Sequence, residues 1–400
     1  MASNDGKDWA RPNDQLQCEE REPSILESYY FDKSDMTESH TGTNNRNEEN
    51  ETDRAVLNRA NIFIHVQQEL PPEITALLPA GLRDILDLDS TAPKDNPIAS
   101  TTTDGNDVKK ASENKEPDIL LQKASSLVSP YNECCGRLRH LSPEFEHRRN
   151  LYADVVSELA GTSTCKNLII TSCSENPWNP LLKPIIPYPT LGDPSTWPVL
   201  TPETIGMASP RRTPVNNIPT PQPPITVGIS RFAFTESQGS VLYRWQENEI
   251  VSSDPYEIQT FLLFPFLIFE TVGGKDIVNL VGAQNAAAGA GSCAVRLLRS
   301  LAAQADNIDD APRLVFTFTA EGEVRELWVC YWLFDEDKDR TCYHMTCYHM
   351  TCLGVWSSTL ERDTEEFLRA IAIILLYGVE EFLPKIKRIL DRASSEAGPA

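Results

Sequence analysis

Phe264-Pro265-Phe266-Leu267-Ile268-Phe269-Glu270-Thr271-Val272-Gly273-Gly274 is an apolar run that ends on one carboxylate and a glycine pair. An apolar run of this length closed by turn residues reads as a central strand, Phe264–Thr271, buried on both faces. Helical spacing follows, over Asp276–Ala305. Ile277, Leu280, Val281, Gln284, Ala288, Gly291, Val295 and Leu298 fall on one stripe, in which Gln284 is the only polar member. The small residues of Ala286–Ser292 let this helix lie close to a sheet, and Gln284 would point toward the end of the strand that carries Glu270.

Working outward, Ile225–Phe234 and Val241–Trp245 read as strands, as does Tyr343–Trp356. Leu314–Thr319 and Val324–Phe334 read as a hairpin across Glu321-Gly322-Glu323. A last helix is expected from Ser358, with Ser358 and Glu361 as a capping box, to near Arg392. Alternating strands and helices of this kind predict an α/β (α+β) fold with a mixed central sheet flanked by helices.

Upstream of this core the composition changes. Between Pro177 and Pro224 there are 14 prolines, which fix φ and remove backbone donors, so the segment reads as an extended connector. Ser142–Leu159 reads as a helix with Ser142 as N-cap and Pro143 in its first turn. The basic residues Arg137, Arg139, His140, His147, Arg148 and Arg149 around it read as a solvated face balanced by Glu144 and Glu146, the alternative being a phosphate-facing patch. Ala60–Val66 has strand character, and Pro72–Leu88 has Ile74, Leu77, Leu78, Leu82, Ile85 and Leu86 at helical spacing. Residues 1–55 offer almost nothing to bury and read as disordered. Four regions result: an acidic, largely disordered tail (1–115) with a short helix near 72–88, a helical part (116–176), the proline-rich connector (177–224) and the α/β core (225–395).

The chain has 400 residues, 36 Lys+Arg against 58 Asp+Glu, and a formal charge of −22. Residues 201–400 hold 17 basic and 26 acidic residues (−9), which leaves 19 and 32 (−13) for residues 1–200. Neither half has the positive excess of a dedicated nucleic-acid binder. No targeting segment opens the sequence, and the longest apolar stretches, Phe261–Phe269 and Ile371–Val379, reach about half of the ~20 residues a bilayer span needs. No membrane association and an intracellular placement are therefore expected, with the ten cysteines read as reduced thiols.

Thr341-Cys342-Tyr343-His344-Met345 is repeated as Thr346-Cys347-Tyr348-His349-Met350, followed by Thr351-Cys352. Thiolate and imidazole suit zinc. In a strand, however, an offset of five puts equivalent residues on opposite faces. The tract therefore reads as a strand lengthened by a short duplication, with Tyr, Met and Cys packed and His exposed.

Several short stretches resemble a fungal family of domains of unknown function with a PD-(D/E)XK nuclease-like fold. They are Pro221-Gln222-Pro223-Pro224-Ile225-Thr226-Val227-Gly228, Ala233-Phe234-Thr235-Glu236-Ser237-Gln238, Phe264–Glu270, Ala283-Gln284-Asn285-Ala286-Ala287-Ala288 and Tyr331-Trp332. The resemblance covers roughly residues 142–395. It implies a divalent metal held by an Asp that follows a Pro and by a Glu, with a Lys two residues beyond the Glu serving the attacking water. Two carboxylates suit Mg²⁺, a hard cation that stabilises charge on the phosphate being cleaved. Here Glu270 stands at the Glu position, but Pro224 replaces the Asp and Val272 replaces the Lys.

The leading expectation is a degenerate nuclease-like domain, a pseudoenzyme with a binding or scaffold role and no cofactor. A second is a weak nuclease using Mg²⁺ at Glu270 with Asp254 or Lys275, and with Gln284 near the same strand end. A third is a protein-interaction module acting through the acidic N-terminal region. The partner would be nucleic acid or protein, and the nucleus would fit nuclease ancestry, although no compact Lys/Arg run of the nuclear-import kind appears.

Overall fold

The computed structural model describes residues 53–88, 116–138, 145–172, 176–184, 218–256, 260–272, 279–334 and 346–396. Residues 1–52 of the tail expected to be disordered over 1–55, most of the proline-rich connector, Lys275 and the first copy of the Thr-Cys-Tyr-His-Met repeat lie outside these residues, whereas 53–55 open a helical stretch, 53–59. So do the side chains of most of the basic cluster.

Seven strands are present among the described residues: β1 (Ile62–His65), β2 (Leu168–Thr171), β3 (Ile225–Ser230), β4 (Leu262–Thr271), β5 (Val315–Glu321), β6 (Val324–Phe334) and β7 (Thr346–Ser357). They form one sheet in the order β1-β7-β6-β5-β4-β3-β2. The β4–β5 and β1–β7 pairs are parallel and the other four antiparallel, so the sheet is mixed, as expected. The apolar run is indeed central, and every residue of β4 is buried. The β5–β6 hairpin turns at Gly322, whose φ of 54° is one that a two-residue hairpin turn asks of a glycine.

The longer helices are α1 (Glu116–Ser126), α2 (Val128–Leu138), α3 (Phe145–Ala160), α4 (Glu236–Glu247), α5 (Leu280–Ala302), α6 (Glu361–Tyr377) and α7 (Leu383–Glu396). One face of the sheet is covered by α5. A Cβ added to Gly291 would meet Cys330 Sγ, Cys330 Cβ (3.2 Å) and Thr317 Cγ2 (3.5 Å), so the small-residue stretch is what allows helix and sheet this close. The opposite face is aromatic: Tyr152 of α3 packs on Phe269, Phe367 of α6 meets Phe318 and Trp356, and Tyr131 of α2 meets both Tyr152 and Phe367.

Several sequence-based expectations change. Val241–Trp245 is part of α4 and not a strand. Its β-prone letters are overridden by a capping box, in which Thr235 Oγ1 accepts from the Gln238 N–H and Gln238 Oε1 accepts from the Thr235 N–H, and by the burial of Val241, Leu242 and Trp245 along one helical side. Strand β3 stops at Ser230, where a 3₁₀ turn, Arg231–Ala233, begins. Pro72–Leu88 holds two short helical pieces, Pro72–Thr75 and Ala80–Ile85, because Pro79 interrupts the first and starts the second.

The last helix runs unbroken from Glu361 to Glu396 but is irregular in its middle. A π-helical stretch, Gly378–Phe382, separates α6 from α7, next to Pro384, which has no N–H to continue the ladder. Leu360, not Ser358, is the N-cap of α6, and the nearby side-chain contact is Asp363 accepting from the Ser357 N–H at 2.9 Å. His349 is half-buried on β7 and not exposed, because β1 adds a strand beside it.

Candidate functional site

Residues paired across neighbouring strands share a face of the sheet. Glu270 pairs with Thr319 and Thr319 with Glu326, so the three stand in one row across β4, β5 and β6. The row lies on the α5 side, because Thr317, two residues before Thr319, faces Gly291. Above it, Asn279 caps α5 by accepting from the Gly282 N–H, and Glu321 accepts from the Leu280 N–H, both at 2.9 Å. A carboxylate on these first-turn donors suits the positive end of a helix. The caps fix the first turn of α5 over the end of β5 and thereby set the depth at which Gln284 meets the row.

Glu326 is the hub. Its oxygens accept from Gln284 Nε2 at 2.9 and 3.2 Å and from Thr319 Oγ1 at 2.7 Å, while Trp328 Nε1 donates to Thr319 Oγ1 at 3.0 Å. Arg54, from the helical residues 53–59, closes the cluster: its Nη2 donates to Gln284 Oε1 and its Nε to Asn285 Oδ1, each at 3.1 Å. Burial lowers the pKa of Arg54 and the Glu326 carboxylate opposes that shift. Neutral donors and one shared cation thus satisfy a carboxylate that is only 6% exposed.

Glu270 differs. It is 2% exposed, no hydrogen bond from a described residue reaches its carboxyl, and burial pushes its pKa up to about 8. Near neutral pH it therefore holds its proton. The next outward position on its strand is occupied by Val272, itself buried.

Of the expected site residues, the fold brings Glu270 and Gln284 to the same face and the same end of the sheet. Asp254 sits elsewhere. The carbonyl of Ser253 accepts from the Phe264 N–H, so Asp254 follows a residue anchored near the beginning of β4, at a point six residues and roughly 20 Å along the strand from Glu270. Its carboxyl accepts from the Tyr256 N–H at 2.9 Å, and burial pushes its pKa up to about 6.

Three members of the cluster were not singled out from sequence: Arg54, Thr319 and Glu326. A usable signal existed for the last, since Arg325-Glu326 is a pair of adjacent charges inside an apolar strand. Adjacent strand residues face opposite ways, so in a sheet covered on both sides both must be buried and partnered. Arg325 is indeed buried on the other face. Its Nε donates to Tyr131 Oη at 3.1 Å, its Nη1 to the carbonyls of Gly322 and Val324, and its guanidinium lies 5.2 Å from the Tyr152 ring.

The donor set does not suit a hard divalent cation. Such an ion needs ionised oxygens free to turn toward it. The Glu326 oxygens already accept three hydrogen bonds, and the backbones of Glu326 and Glu270 stand two strand spacings, roughly 9.5 Å, apart. Among the described residues no group of three or more His, Cys, Asp or Glu is placed to hold a metal. None of the described helices is long and apolar enough to cross a membrane.

These features define a mixed α/β domain with a buried polar row clasped between sheet and helix. A family model for a domain of unknown function, DUF7924, matches residues 159–390, and the chain belongs to that family. No curated protein and no solved structure matches the chain.

Proposed function

We propose that the core is a nuclease-like domain of the fungal type that does not hydrolyse phosphodiesters and acts by binding or as a scaffold. The saturation of Glu326 carries this reading. The one carboxylate that shares a row with Glu270 is committed to Gln284 and Thr319, so the polar residues at this end of the sheet hold α5 and the 53–59 helix in place and do not orient a metal and a water. The buried Val272 beside Glu270 points the same way, since it offers no proton or charge to an attacking nucleophile.

The test is incubation of the full chain with Mg²⁺ or Mn²⁺ and single- and double-stranded DNA and RNA. No cleavage above that given by the Glu270→Gln variant is expected. Cleavage by the wild type that this variant abolishes would overturn the proposal.

A further inference from the structure

The residues around β1 lie ahead of the stretch that matches the family, yet they complete its sheet and its polar cluster. Val56, Leu57, Ala60 and Ile62 are buried, and Arg54 reaches Gln284 and Asn285. The strand pairing is short: Ile62, Phe63, Ile64 and His65 run parallel to Tyr348, His349, Met350 and Thr351. Where it ends, two imidazoles meet. His65 Nε2 is 2.9 Å from His349 Nδ1, and the rings stack at 5.2 Å with 16° between their planes. Tyr331 stacks on His349 at 5.4 Å, and Phe63 lies 5.5 Å from it.

We propose that residues 53–66 are a strap occupying the free edge of β7 and the mouth of the Glu326 cluster, and that the His65–His349 pair is a proton-sensitive latch that holds it there. An N–H···N bond between imidazoles needs one ring nitrogen with a free lone pair, and protonating that ring removes the acceptor. Two imidazolium rings stacked at this distance would also repel. The other polar groups facing the pair are Gln68, which hydrogen-bonds His65; Thr351, the register partner of His65; the Tyr331 phenol; and Glu73, whose charge acts on Tyr331. Among the described residues none supplies a carboxylate hydrogen-bonded to either ring.

The direction follows from burial, which holds the pKa of His349 down to about 4 and also lowers that of His65. A histidine depressed in the latched state binds protons more readily when released, so the latch is intact above about pH 6.5 and weakens as pH falls toward 4. For His349 alone, a pKa of about 4 latched against about 6.5 released makes opening about 20-fold more favourable at pH 5 than at pH 7. Opening withdraws Arg54 from Gln284 and Asn285 and frees the β7 edge for another strand.

Amide hydrogen exchange of the full chain at pH 7 and pH 5, corrected for intrinsic chemistry, tests this. Protection at those amides of 62–65 and 348–351 that bond across the β1–β7 pairing, Tyr348 among them, should fall about 20-fold at the lower pH, while β4 and β5 keep theirs. His349→Phe, which retains a ring for stacking but cannot take a proton, should remove most of that change, and Glu73→Gln should leave it intact. Equal loss of protection in β4, an unchanged response in His349→Phe, or its disappearance in Glu73→Gln would each overturn the proposal.

Discussion

Gln284 Nε2 lies between the two oxygens of Glu326, 3.2 and 2.9 Å away, while its Oε1 accepts from Arg54. One amide therefore ties α5, β6 and the strap together. Truncating it leaves a buried carboxylate short of a donor and a half-buried guanidinium short of an acceptor, which is costlier than losing a hydrogen bond between exposed groups. Gln284→Ala should lower unfolding stability by about 2–4 kcal/mol, read as a drop in the urea midpoint with the slope unchanged.

Glu270 gives an opposite sign. Its carboxyl is neutral in the fold up to about pH 8 but ionises near 4.5 when unfolded, so the folded state holds the extra proton between these values. Stability then falls as pH rises through that window. Glu270→Gln should be more stable than wild type at pH 8, with a gap that shrinks on the order of 2–4 kcal/mol by pH 5. Thermal unfolding at the two pH values measures it, and a gap that does not change with pH would refute the assignment of a neutral Glu270.

Gly291 tests the helix–sheet distance. An alanine there pushes its methyl into Cys330, and overpacking of this kind costs about 1–3 kcal/mol. Cys330→Ala opens the space, so the double variant should be less destabilised than the sum of the singles by about 1 kcal/mol or more. Strict additivity in the double-mutant cycle would mean that α5 can shift away without penalty.

The sheet was legible where one cause dominated. The Phe264–Thr271 run could only be a buried strand, and Glu321-Gly322-Glu323 between two alternating segments could only be a hairpin turn. Val241–Trp245 reads as a strand from its β-branched and aromatic letters, which outweigh the Thr235–Gln238 cap that begins six residues earlier. The polar cluster was half legible. Gln284 stood out as the one polar residue on an apolar stripe, but Arg54 is 230 residues away and no local pattern ties the two. Glu326 is hidden in the sequence because the apolar members of its strand dominate the alternation, and the pair of charges stands next to the turn, at the start of that strand.

The repeat on β7 has a consequence for how the chain tolerates change. Residues 341–347 and 346–352 spell the same seven letters, and Thr346–Cys352 supplies every residue of the β7 end that pairs with β1 and with Phe334–Trp328. Removing 341–345 yields the same protein as removing 346–350. Loss or gain of one five-residue unit in the gene therefore alters the length of the β6–β7 connection while every pairing partner keeps its chemical identity, including the histidine that meets His65, so the sheet is indifferent to the copy number.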